Sequence, residues 1–248
     1  MKALWFLALI TAAHAGNNVL LIIADDLGTN SQSLYNTNAG ATAPTPHINA
    51  LAASGVRFTN AYSSPVCSAA RACMITGRHG FRTGVGDNGT PGQVIQTPYD
   101  AAHAKDTLYE GGIRVPLIIK GPDVVAGGRT NDSLVQAVDL FSTILELAGV
   151  PLPSNITLDS KSLKPILSNL TATRTRLYTD QFDQNTATTG GRVLRDDRYK
   201  LIRLNTGTDE FYDLLADPFR KSVSTACFRR RRNLAEAVCD PMPLRIGE

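Results

Sequence analysis

The sequence of 248 residues predicts an α/β fold with a mostly parallel central sheet and a small antiparallel C-terminal subdomain. Residues 18–24 form an uninterrupted run dominated by aliphatic side chains, which is typical of a central parallel strand buried on both faces. Apolar residues recur at helical spacing over residues 139–149. Segments 176–179, 193–195 and 198–204, the last two flanking a turn, predict antiparallel strands.

Residues 1–15 have the pattern of a secretory signal peptide, with one lysine, an apolar stretch and a final Ala-His-Ala triplet. We therefore expect the secretory pathway and an extracellular, lysosomal or periplasmic destination, depending on the host. There the sequons at Asn131, Asn155 and Asn169 are candidate glycan acceptors. No later segment approaches the ~20 apolar residues of a membrane helix. The net charge of +3 argues against nucleic-acid binding.

Proline and glycine mark the elements of the first half. Thr45-Pro46 begins a predicted helix that Gly55 ends, and residues 56–61 predict the next strand. A second helix is expected from Ser68 to Thr76, ended by Gly77. Further along, residues 115–120 predict a short buried strand, and Asp139 is expected to cap the helix that follows it.

Asp25 and Asp26 directly follow the predicted buried strand. Adjacent carboxylates repel each other unless a cation lies beside them. Carboxylate oxygens favour Ca²⁺, with Mg²⁺ as the alternative, and no histidine is nearby. The competing interpretation is that one carboxylate caps a turn and the other is solvated.

Cys67 stands just ahead of a predicted helix, and Arg71 follows one turn later. Helix N-termini favour anions, and the arginine adds a fixed positive charge, so this pattern indicates an oxyanion pocket at position 67. The alternative is an inert thiol in a loop.

The segment 65–78 resembles the sulfatase signature, in which the cysteine of C-x-P-x-R is oxidised to formylglycine. Cys67, Arg71 and residues 74–78 fall in register, while Ala69 stands where proline is usual. Further blocks match the family in order and spacing: residues 24–28, 45–49, 51–62, 86–89, 105–116, 198–202 and 211–218.

The resemblance implies an arylsulfatase-type sulfuric ester hydrolase with an alkaline-phosphatase-like fold. It implies a catalytic domain over 16–170, an antiparallel subdomain over 171–220 and a basic tail over 221–248. A formylglycine-generating enzyme would convert Cys67 into the nucleophile, Arg71 would stabilise it, and Lys105 would neutralise the sulfate. A Ca²⁺ ion would be held by Asp25, Asp26, Asp87 and Asn88. The substrate would be a sulfate-ester small molecule or a sulfated glycan.

The chain departs from this family pattern between the signature and Asp87. The family has a Lys-x-His pair and a further histidine there, whereas the four histidines of this chain, at 14, 47, 79 and 103, lie elsewhere. Residues 80–86 are also no buried strand. We expect that an internal segment is missing near 84–87 and that the sheet is incomplete. The alternatives are an inactive sulfatase-like fragment or binding protein, or a phosphohydrolase of the same superfamily, against which Cys67 argues.

Overall fold

The computed structural model describes residues 16–36, 42–87, 106–170, 174–182 and 190–216. The signal peptide and the basic tail predicted from the sequence lie outside these residues. The α-helices are α1 (Pro46–Ser54), α2 (Cys67–Thr76), α3 (Gly80–Thr83), α4 (Glu110–Ile113), α5 (Asp139–Leu147) and α6 (Lys164–Leu167). No helix in these ranges is long and apolar enough to cross a membrane.

The strands confirm the predicted α/β class. They are β1 (Val56–Phe58), β2 (Ala61–Tyr62), β3 (Leu117–Ile119), β4 (Arg129–Asn131), β5 (Val135–Gln136), β6 (Leu177–Phe182), β7 (Gly190–Arg195), β8 (Tyr199–Leu204) and β9 (Asp209–Asp213). β1 pairs in parallel with β4 and antiparallel with β3, while β2 pairs in parallel with β5. The first half is therefore a mixed arrangement, with parallel pairs in both of its small sheets.

The predicted helices of the first half lie close to their expected bounds, whereas the single strand predicted over 56–61 is divided into β1 and β2, which belong to different sheets. α1 begins at Pro46 and is capped by Gly55, and α2 is capped by Gly77, whose φ of 67° lies in the left-handed region. A Cβ at position 77 would approach Phe141 of α5 to 2.5 Å, so both the backbone and the packing require glycine there. The buried strand expected over 115–120 is observed as β3, which is shorter and only half-buried. Among the described strands, β3 lies at the edge of its sheet and pairs only with β1.

The prediction of a buried central strand over residues 18–24 is wrong for this structure. The segment belongs to no sheet, and Leu20 and Ile22 are 84% and 78% exposed. A strand is buried only when neighbouring strands and helices cover it, and the described residues supply no such neighbours here. The sequence therefore carries the pattern of a core strand without the rest of the core.

The C-terminal sheet confirms the antiparallel prediction. Its strand order is β6-β7-β8-β9, with every neighbouring pair antiparallel. β9 was not predicted from the pattern. One face packs on the first half of the chain, in a core cluster of Tyr62, Leu108, Ile113, Leu134, Leu177, Val193, Ile202, Tyr212 and Leu214. The C-terminal sheet thereby packs against β2, the strand that precedes α2.

Two buried ion pairs reinforce this attachment. Asp139 at the start of α5 pairs with Arg174, and both side chains are almost fully buried. The carboxylate of Asp139 also accepts hydrogen bonds from the backbone N–H groups of Gln136 and Lys161, so it ties three segments together. The prediction that Asp139 caps α5 is wrong, because the capping residue is Val138 and Asp139 is the first residue of the helix. Lys200 of β8 is fully buried and donates to Glu110 of α4 at 3.1 Å.

Candidate active site

A cleft of about 570 Å³ lies beside the first turns of α2. Its walls come from residues 21–31, from the loop before α2 and from the segment around β3. Four of the residues singled out in the sequence line it: Asp25, Asp26, Cys67 and Arg71. Residues far apart in the chain thus meet in one cavity, which is the arrangement expected of a binding site.

Cys67 is the first residue of α2 and is partly buried. Strand β2 and the loop after it lead directly into this helix, so the thiol stands at its positive end. The first helical hydrogen bond runs from the N–H of Ala70 to the carbonyl of Val66 at 3.0 Å. The N–H of Ala69 is therefore not needed by the helix, and alanine replaces the usual proline without moving the helix start.

Arg71 lies one turn after Cys67, and its guanidinium is 3.8 Å from the carboxylate of Asp25. The side chains are 47% and 63% exposed, so this pair contributes at most about 1 kcal/mol. An anionic substrate can therefore draw Arg71 away from Asp25 at little cost. Asp26 has a positive φ of 55°, which is uncommon for a residue with a side chain and is often found at functional sites.

Asp87, a further predicted site residue, does not line this cleft. Gly86 packs against Phe182, and its carbonyl accepts the N–H of that residue at 3.3 Å, so Asp87 follows beside the end of β6 and does not line the cleft. Asn88 and Lys105 lie outside the described residues.

The fit of a Ca²⁺ ion can be judged from these carboxylates. Ca²⁺ takes about 6–8 oxygen ligands. Within the part of the chain that the structure describes, no three His, Cys, Asp or Glu side chains lie close enough together to hold a metal ion. The described residues therefore do not form a Ca²⁺ site as they stand.

The histidine nearest to the signature in sequence, His79, lies in a buried cluster behind α2 rather than in the cleft. Its ring stacks on Phe81 and meets Tyr178 edge-on, with centroid distances of 6.1 and 5.3 Å. Burial lowers the pKa of His79 to about 4, with Asp159 acting against this shift. Burial also raises the pKa of Asp180 to about 6, although its carboxylate accepts the N–H of Phe81. A neutral, buried His79 is a packing residue.

The opposite pKa shifts of His79 and Asp180 predict a nearly flat stability profile between about pH 4 and 6. The raised pKa of Asp180 gives stability that is present at low pH and is lost as the pH rises through about 6. The lowered pKa of His79 gives stability that is present above about pH 6.5 and is lost as the pH falls towards 4. Each contribution is on the order of 3 kcal/mol, so they largely cancel.

The Asp180→Asn variant should remove this compensation. Its free energy of unfolding, measured by urea titration, should rise by on the order of 2–3 kcal/mol between about pH 4 and 6.5, because only the His79 contribution is left. The exposed Asp197→Asn substitution is the matched control and should keep the wild-type profile. An unchanged profile in Asp180→Asn would contradict the assignment of these shifts.

Gly111 and Gly112 also line the cleft, which was not predicted from the sequence. A Cβ on Gly112 would meet the carbonyl oxygen of Thr107 at 2.1 Å, so the tight turn into α4 requires glycine. Arg114 lines the cleft too, and its guanidinium donates to the carbonyl of Thr59 at 2.6 Å. The adjacent glycines were the available sequence signal, since such a pair lets the backbone approach closely.

The fold and the cleft define an α/β protein with a cysteine at a helix N-terminus, facing a cavity with an arginine and two carboxylates. Comparison with known families agrees with this class. Residues 17–102 match the family model "Sulfatase", and residues 101–226, half of the chain, match "N-sulphoglucosamine sulphohydrolase, C-terminal". The chain belongs to the sulfatase family and has its alkaline-phosphatase-like α/β fold.

Curated relatives agree with this family assignment, and a solved structure agrees with the fold. The chain is 31% identical over 156 residues to arylsulfatase G of Rattus norvegicus, covering 61% of this chain and 28% of the relative. It is 34% identical over 122 residues to the N-acetylglucosamine-6-O-sulfatase of Bacteroides thetaiotaomicron, covering 46% and 22%. The PsFucS1 sulfatase structure from Pseudoalteromonas sp. shares the fold, with a TM-score of 0.65, 14% identity and 86% of each chain covered. This chain therefore spans only about a quarter of the length of these curated relatives.

Proposed function

We propose that this chain hydrolyses sulfate esters in the cleft, with position 67, converted to formylglycine, as the nucleophile. One observation carries the proposal: Cys67 and Arg71 lie one turn apart on α2, and both line the cavity that Asp25 and Asp26 also line. The sulfatase family membership supplies the reaction class.

Formylglycine at position 67 would supply a hydrated aldehyde: one hydroxyl would displace the alcohol from sulfur, and the other would lose its proton as the aldehyde re-forms and sulfate leaves. The chain's own residues provide the electrostatics. Free N–H groups at the start of α2 and the guanidinium of Arg71 favour negative charge at position 67. Lys105 is proposed to neutralise the sulfate group. Asp25, Asp26, Asp87 and Asn88 remain the predicted Ca²⁺ ligands, and no step of this proposal depends on the ion.

We expect slow turnover. Within the described residues no histidine lines the cleft, so this part of the chain supplies no histidine to protonate the leaving alcohol. General acid–base catalysis typically contributes about 10²–10⁴-fold, and the rate should fall below that of a full-length sulfatase by a factor of this order. The absence of Asp87 from the residues that line the cleft favours the second candidate, an inactive sulfatase-like fragment that only binds a ligand.

An internal segment missing near 84–87 explains this incomplete site. The unpaired aliphatic segment 18–24 supports the idea, because such a run ordinarily lies between neighbouring strands. Sequencing the transcript across codons 80–90 tests it. A longer reading frame at this junction is the expected result for a splice form or gene-model error, and its absence would mean that the deletion lies in the gene.

The proposed substrate is a sulfate-ester small molecule or a sulfated glycan. The names of the relatives, an arylsulfatase and a sugar 6-O-sulfatase, support both classes. The proposed maturation partner is a formylglycine-generating enzyme, and the proposed location is the secretory pathway, which the predicted signal peptide supports.

The direct test is a paired assay on the full secreted chain, co-expressed with a formylglycine-generating enzyme. Release of a chromogenic phenol is measured from an aryl sulfate and from the matching aryl phosphate. We expect slow hydrolysis of the sulfate ester and none of the phosphate. Preference for the phosphate would indicate a phosphohydrolase, and the absence of both reactions would support the inactive fragment.

A further inference from the structure

The most unusual surface of the molecule is the aliphatic segment at residues 19–23. Val19, Leu21 and Ile23 are each 41% exposed, whereas Leu20 and Ile22 are 84% and 78% exposed. An alternation with a period of two is what an extended chain produces, since successive side chains point to opposite sides. One side of this segment is partly covered, and the other is open to solvent.

Among the residues that the structure describes, no strand pairs with the backbone of this segment. Within the described residues, none of the N–H or C=O groups of residues 19–24 makes a hydrogen bond. The segment is nevertheless anchored at its start, because the N–H of Asn17 donates to the carbonyl of Leu147 at 3.1 Å. A fixed, extended and unpaired strand is a template for pairing with another strand.

The chemistry of the segment specifies its partner. The covering strand has to be aliphatic on the side that meets Leu20 and Ile22, and it has to lack charge and proline, which interrupt pairing. Residues 19–23 themselves meet these requirements, since they contain five aliphatic residues, no charge and no proline. Another copy of the chain therefore presents a matching strand.

The charges that follow the segment fix the direction of pairing. In a parallel, in-register pair, Asp25 and Asp26 would face the same carboxylates of the other copy, and like charges directly opposite each other are destabilising. In an antiparallel pair centred on Leu21, the uncharged Asn17 faces Asp25 instead. Two copies are then related by a twofold axis, with Leu20 of each copy opposite Ile22 of the other.

We propose that this protein forms a twofold homodimer through antiparallel pairing of residues 19–23. The pairing satisfies the free backbone groups and removes the exposed faces of Leu20 and Ile22 from water, two gains that favour association. None of the five residues is a proposed catalytic group, and residues 21–23 also form part of the cleft wall, so the contact lies beside the cleft.

Sedimentation equilibrium of the full secreted chain tests the proposal. We expect a dimer that dissociates on dilution, and at least a tenfold rise in its dissociation constant in Leu20→Lys and Ile22→Lys, because each buries two like charges at the interface. Leu215→Lys is the matched control, since Leu215 is 74% exposed and lies outside the segment. Circular dichroism checks that each variant keeps the wild-type fold, as expected for residues so exposed.

A monomeric wild-type chain at all concentrations would overturn the proposal. A dimer that Leu20→Lys weakens no more than Leu215→Lys does would also overturn it, because the contact would then lie elsewhere. The proposal would also be overturned if a different polypeptide bound the wild-type protein at a fixed stoichiometry while the protein did not associate with itself. Weakening confined to Leu20→Lys and Ile22→Lys supports the twofold contact.

Discussion

Replacing Asp139 with alanine is expected to destabilise the fold by about 3–5 kcal/mol, the cost of breaking a buried ion pair by removing one partner. The carboxylate is fully buried, pairs with Arg174 and accepts the N–H groups of Gln136 and Lys161 at 2.9 and 2.8 Å. Its removal leaves a buried guanidinium without its carboxylate partner and two backbone donors unsatisfied. A domain is typically stable by about 5–15 kcal/mol, so this loss is a large fraction of the total.

The effect should reach the site, because α5 supports α2. Phe141 of α5 lies against Gly77 at the end of α2, and Met74 packs in the core cluster with Leu140 and Ile144. Thermal unfolding followed by circular dichroism should show a Tm lower by roughly 6–20 °C. Glu146→Ala, an exposed position on the same helix, is the control and should change stability by less than about 0.5 kcal/mol. Equal Tm values for both variants would contradict the role assigned to Asp139.

The Cys67→Ala substitution should abolish sulfate release and leave the fold intact. The thiol is the precursor of the proposed nucleophile, and alanine cannot be converted to an aldehyde. Cys67 is only partly buried at the start of α2, so its loss removes little packing. Hydrolysis of an aryl sulfate by the purified variant should equal the uncatalysed rate, with an unchanged Tm.

Cys73→Ala is the matched control for this measurement. Cys73 is on the same helix but is buried, and burial raises the pKa of its thiol to about 11, so it stays protonated. The variant should keep the wild-type rate, with a small loss of stability from the cavity that it creates. Residual hydrolysis in Cys67→Ala at the wild-type rate would mean that another group attacks the ester.

Local sequence signals predicted much of the fold. α2 was predicted within one residue, because a left-handed glycine ends it and the apolar spacing precedes that glycine. The antiparallel strands β6, β7 and β8 were predicted from β-type segments around a turn. The prediction that residues 18–24 form a buried strand was wrong. An aliphatic run indicates that a segment is suited to burial between neighbouring strands, but it does not show that the chain supplies those strands.

The site was predictable where one helix determines it. Cys67 and Arg71 are four residues apart, and helical geometry brings them to one face. The meeting of Asp87 with Asp25 depends on how distant segments pack, and in the structure Asp87 does not line the cleft, while the preceding Gly86 packs against Phe182. The resemblance to sulfatases supplied this ligand set, and residue spacing alone contained no information on it.

The most direct test of the account is mass spectrometry of the peptide that spans Cys67, taken from the full secreted chain co-expressed with a formylglycine-generating enzyme. Replacement of the thiol by an aldehyde at residue 67 in a measurable fraction of molecules is the predicted result. The peptide containing Cys73 serves as the internal control and should keep its thiol. An unmodified thiol at residue 67 in every molecule would contradict the proposed nucleophile and leave the chain as an inactive member of the sulfatase family.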